Sequence, residues 1–205
     1  MESITLRWRG PYSLDSGRNL GEFDPPDEPG VYLWTVLRGP EHPDSFMISY
    51  VGQASSIRNR MLKHISGILG GEACLYNDDH LFKGKFPDDS TKRYIPEGRN
   101  LLNKFVNEFE EYSVLARKNL ASYYFFWAVM PNYRGREGAP FRMAVESALI
   151  EKTKNRLQNW RKEGKGISLS QAKSPHILIK SEFSDAKKLR ELVEMSMNYG
   201  AVYEK

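Results

Sequence analysis

Two short triads, Gly30-Val31-Tyr32 and Tyr50-Val51-Gly52, are followed by Arg60 and His64 and, much later, by Glu146. Phenols, a fixed cation, an imidazole and a carboxylate are the side chains that hydrolysis of a phosphodiester calls for. The attacking water needs a proton acceptor, the phosphoryl oxygens need positive charge, and the leaving oxygen is usually stabilised by a divalent metal. Arg60 and His64 are four positions apart, so on a helix they share a face and set a permanent cation beside a titratable ring. On a strand, the Tyr32 side chain points to the face opposite Val31 and Leu33. A phenol with a reference pKa of about 10 is a poor base at neutral pH, so service as a base requires positive charge nearby.

The elements that must position these groups can be read locally. Val31 to Leu37 is rich in β-branched and aromatic residues and predicts a strand; Gly39, Pro40 and Pro43 interrupt it, and Phe46 to Val51 predicts its hairpin partner. Gly52 is expected to permit a close turn between strand and helix, and Ser55 or Ser56 caps a helix in which Ile57, Met61, Ile65 and Ile68 recur at helical spacing until Gly70-Gly71. A second amphipathic helix is expected from about Leu101 to Lys118, with Leu101, Leu102, Phe105, Val106, Phe109, Tyr112 and Ala116 on one stripe. The run Tyr123 to Val129 suits a strand buried on both faces, in the middle of a sheet. A third helix should begin near Pro140 and continue to about Asn155. With Phe141, Val145, Ala148 and Leu149 as its buried stripe, Glu146 falls at the edge, where a carboxylate can reach a sheet-side cleft. A strand from Ile4 to Arg9, a proline-rich lead-in up to Gly30, a short strand from His176 to Ile179 and a last helix capped by Ser184 or Asp185 complete the reading.

The chain has 205 residues, 40% hydrophobic and 12% aromatic, enough to bury a core. Its longest apolar run, Tyr123 to Met130, is far short of the roughly 20 residues of a membrane helix, and nothing early resembles a signal core, so a cytoplasmic protein is expected. The single cysteine, Cys74, makes no internal disulfide. Asp78-Asp79-His80 is a poor metal site, since adjacent loop residues point in different directions; it reads as a solvated loop. The net charge of +4 is unremarkable in size but concentrated. Between Lys152 and Lys173 seven bases face one acid, Glu163, which leaves the remainder of the chain slightly acidic.

Tyrosine triads at the ends of two hairpin strands, then Arg60 and His64 on a helix, then the distant Glu146 followed by a small residue and Leu149-Ile150, resemble the GIY-YIG nuclease family over roughly residues 29–159. That resemblance implies an α+β fold with a small, mainly antiparallel central sheet of about three core strands flanked by helices. Residues 1–28 would be an N-terminal extension, about 71–100 an insertion, and 160–205 a C-terminal basic segment, strand and helix. By the same resemblance Tyr32 activates or orients the water, Tyr50 hydrogen-bonds beside it, Arg60 holds the scissile phosphate, and His64 hydrogen-bonds in the site or assists proton movement. Glu146 becomes the ligand of Mg²⁺ (or Mn²⁺), an ion suited to one hard carboxylate completed by waters and phosphate oxygens. The family often has an asparagine beyond this glutamate, near a proline. Here Asn159 is the nearest equivalent and Asn155 the alternative, and no proline lies between.

The activity implied is a metal-dependent endonuclease acting on DNA, restriction-type or repair-type, leaving 5′-phosphate and 3′-hydroxyl ends. Arg156, Arg161 and Lys162 would then touch the phosphate backbone. A homodimer is expected if the recognised site is palindromic. The competing expectation is a nucleic-acid-binding or structural-interaction module that keeps the scaffold without turnover.

Overall fold

The computed structural model describes residues 2–15, 22–37, 46–72, 103, 105–153 and 177–183. In chain order these give strand β1 (Glu2–Tyr12), β2 (Gly30–Leu37), β3 (Phe46–Ala54), helix α1 (Ile57–Leu69), α2 (Phe109–Ala121), β4 (Tyr124–Val129), α3 (Ala139–Thr153) and β5 (Ile177–Phe183). The architecture is α+β, around one mixed five-stranded sheet of order β3-β2-β4-β1-β5. All pairings are antiparallel except β1 with β5. No described helix is long and apolar enough to cross a membrane.

Strand alternation divides the core in two. On the first face Tyr32, Trp34, Val36, Phe125 and Trp127 pack against Ile57, Met61 and Ile68 of α1 and Tyr112, Ala116 and Leu120 of α2. On the second face Leu6, Trp8, Val31, Leu33, Ile48, Val51, Phe126 and Ala128 receive Val145 and Leu149 of α3. A strand between two such layers must be apolar at every position, and β4 is: it is buried along nearly its whole length. Ser56 supplies the N-cap of α1, its side chain accepting from the Asn59 amide at 3.1 Å. At the other end of α1, the Tyr112 hydroxyl donates to the Ile68 carbonyl, satisfying a last-turn acceptor and fastening α2 to α1.

The sheet is larger than the expected three core strands. Leu6 and Trp8 alternate with exposed Thr5, Arg7 and Arg9, which makes β1 a half-buried strand fit to cover the flank of β4; β5 then pairs with β1. Residues assigned to the two terminal extensions thus continue the central sheet. The stripe expected for the second helix is corrected in part. Tyr112 and Ala116 are fully buried and Phe105 packs against them, but Val106 and Phe109 are 68% and 55% exposed, on a side of the helix that turns from the sheet. Leu101 and Leu102, Cys74, the Asp78-Asp79-His80 loop, most of the insertion and the final helix lie outside the described residues.

Candidate active site

Tyr32 and Tyr50 come from neighbouring strands and Arg60 and His64 from the first two turns of α1 that follow, so the hairpin and its helix assemble the cluster by themselves. The Tyr32 hydroxyl lies 3.0 Å from His64 Nε2. The His64 ring meets Tyr50 edge-on at a centroid distance of 5.5 Å and Trp34 at 5.7 Å, and the Tyr32 and Tyr50 rings are 5.9 Å apart. Arg60, one turn before His64, stands close enough to the hydroxyls of both tyrosines for its charge to act on them. The four residues that were expected together are therefore in contact, with Trp34 as a further wall. Strand period two places Trp34 on the Tyr32 face, so its position could have been read from the sequence.

Electrostatics decides what Tyr32 can do. Burial is the largest influence and raises its pKa well above the ordinary phenol value, with Tyr50 adding to the rise; Arg60 pulls the other way and does not prevail. The positive charge that a phenolate base requires is present, yet the site keeps Tyr32 protonated at neutral pH. For Arg60, burial acts to lower the pKa, but the tyrosine hydroxyls more than offset this and the net shift is upward, so the cation is held firmly charged. The Tyr32 hydroxyl can donate one proton and accept at its oxygen, so its bond to His64 Nε2 runs in the direction that the His64 tautomer sets: Tyr32 donates where the imidazole proton is on Nδ1.

Gly52 was expected to ease a turn between strand and helix. It lies instead within β3, paired with Tyr32, and the strand continues to Ala54. A Cβ there would stand inside contact distance of the Tyr32 ring and hydroxyl and 2.7 Å from the Tyr50 ring. The glycine is the floor on which both phenols rest. Gly52→Ala should therefore cost about 1–3 kcal/mol of stability by overpacking, with cleavage lost beyond what the unfolded fraction accounts for. Thermal melts run beside a cleavage assay measure both.

Glu146 is half-buried on α3, which packs on the second face, chiefly along β3. One turn earlier Arg142, only 3% exposed, donates from Nε to Gln53 Oε1 at 3.2 Å and also to the carbonyls of Tyr133 and Gly135. This strut ties α3 to the strand position next to Gly52. Glu146 and the tyrosine cluster accordingly flank the same edge strand, from opposite faces. Gln53 and Arg142 escaped the sequence reading because arginine is rarely buried and nothing marks this one as an exception. Among the described residues no group of three or more His, Cys, Asp or Glu side chains could together hold a metal ion. The donor set so far is a single carboxylate. Asn159, Asn155, Arg156, Arg161 and Lys162 lie outside the described residues.

Comparison of the chain with protein-family models, with curated proteins and with solved structures finds no match in any of the three. The case for a function is therefore carried by this geometry.

Proposed function

We propose that the chain is a metal-dependent endonuclease of the GIY-YIG type, hydrolysing DNA phosphodiesters in a restriction-type role. The observation that supports it most is the hydrogen-bonded pair of Tyr32 and His64, with Tyr50 against the imidazole and the Arg60 charge acting on both phenols. A buried neutral phenol between an imidazole and a guanidinium is a device for moving one proton beside an anion.

In this mechanism Arg60 binds a non-bridging oxygen of the scissile phosphate, and its charge counts most as negative charge builds in the transition state. A water placed against Tyr32 passes a proton to the phenol oxygen while the Tyr32 proton moves to His64 Nε2. The resulting hydroxide forms the new P–O bond in line with the departing 3′ oxygen. The P–O3′ bond breaks, the 3′ oxygen takes a proton from solvent, and the products carry 5′-phosphate and 3′-hydroxyl ends. Tyr32 ends as it began and His64 carries the water's proton. Glu146 would hold Mg²⁺ (or Mn²⁺), with water and phosphate oxygens as the other ligands, and the bound ion would stabilise charge on the leaving oxygen.

Purified protein incubated with plasmid and phage DNA and Mg²⁺ should give discrete fragments, stopped by EDTA. Arg60→Ala should slow single-turnover cleavage about 10²-fold or more. Duplex binding without cutting by the wild type, across both metals, would instead support the binding-module reading.

A further inference from the structure

We infer that the open part of the first sheet face, carried by β1 and β5, is a track for the phosphate backbone of duplex DNA extending from the Tyr32 site. The inference rests on the nuclease reading and adds to it a binding surface built by strands outside the segment that resembles the nuclease family.

Register puts this surface in line with the chemistry. Gly52 pairs with Tyr32, Tyr32 with Trp127, and Trp127 with Arg9, so one residue from each of β3, β2, β4 and β1 forms a row across the first face. With neighbouring strands about 4.8 Å apart, the Arg9 backbone stands roughly 10 Å from that of Tyr32. That is about three steps along a duplex, whose strands each carry a phosphate every 3.4 Å or so of axis.

The composition of the surface matches a polyanion. Leu6 and Trp8 point into the second core, which turns Thr5, Arg7 and Arg9 onto the first face, where all three are exposed. In β5, Lys180 lies opposite Thr5 and Glu182 opposite Arg7, both exposed. Three cations thus face one acid. Among the described residues, the apolar cluster beneath α1 and α2 takes only Tyr12 from β1, so these helices leave the rest of the strip open. Arg7 holds Glu182 at 3.1 Å, with side chains 83% and 48% exposed. An ion pair that exposed contributes little, so Arg7 can turn to a phosphate at small loss. Tyr12 stacks on Trp127 at 4.1 Å and Phe23 packs on Phe125 and Trp127, so these two rings cover the middle of the row; among the described residues the acids flanking Phe23 are Glu22 and Asp24, and Asp24 is already engaged by Arg58 at 3.0 Å.

The test is the salt dependence of binding to a mixed-sequence DNA duplex in EDTA, for wild type, the double variant Arg9→Gln/Lys180→Gln, and Glu182→Gln. Each lost phosphate contact should flatten the slope of log Kd against log salt by about 0.9, so the double variant should be shallower by about 1.8 and bind more weakly. Glu182→Gln should bind more tightly than wild type. If the double variant fails to fold, Glu182→Gln decides alone. A wild type that cuts the same duplex once Mg²⁺ replaces EDTA, with variant slopes unchanged, overturns the track and leaves the nuclease reading standing. A wild type that neither binds nor cuts overturns both, and preference for single strands or for an acidic protein overturns the duplex assignment.

Discussion

Glu146→Ala is expected to reduce Mg²⁺-dependent cleavage about 10³-fold or more while duplex binding in EDTA stays close to wild type. The magnitude follows from a bound cation's value of several kcal/mol in stabilising transition-state charge, at about 1.4 kcal/mol per factor of ten. The position makes the variant clean. Glu146 is half-buried at the edge of the α3 stripe, whereas Val145 and Leu149 supply the helix's contact with the second core, so truncation to alanine should leave packing intact. Melting temperature serves as the control for fold. The Arg142–Gln53 strut should persist in the variant, since it lies one turn away on the same helix. Unchanged cleavage in Glu146→Ala would remove this carboxylate from the metal's ligands and leave α3 with a packing role alone.

The parts of this site that sequence discloses are the local ones. Tyr32, Tyr50, Arg60 and His64 lie within one hairpin and the helix after it, and two rules, strand alternation and the four-residue helical step, bring them together without knowledge of the rest of the chain. Ser56 as a cap and Val145 with Leu149 as a buried stripe are local in the same sense. What stayed hidden is non-local or runs against composition. The place of β1 in the sheet depends on pairing Arg9 with Trp127 and Tyr12 with Phe125, across more than half the chain. The burial of Arg142 depends on carbonyls of the loop before α3 and an amide on β3. Gly52 was noticed for its backbone, but its missing side chain is what matters, because two rings from separate strands converge above it. The reversal for Tyr32 has the same origin: the cation was readable in sequence and the degree of burial was not.

Tyr32→Phe should lower cleavage about 10²-fold or more, the usual scale for losing a positioned proton-transfer group. Phenylalanine keeps the ring over Gly52 and against Tyr50, so the loss isolates the hydroxyl. The same variant tests how that hydroxyl works. Burial holds the Tyr32 proton above the ordinary phenol range in the folded protein, whereas in the unfolded chain it leaves near pH 10. Above that pH the unfolded state binds fewer protons than the folded one, so this residue's contribution to stability is complete below about pH 10 and declines as pH rises towards the folded value. Wild type should accordingly lose stability more steeply than Tyr32→Phe in strong alkali. Tyrosinate absorbance provides the direct reading: of the eleven tyrosines, the one replaced should not be among those ionising in the folded protein near pH 10. A step present in wild type and missing from Tyr32→Phe in that range would mean that the phenol ionises as readily as in water. Tyr32 would then be available as a phenolate base, and the passage of its proton to His64 would lose its purpose.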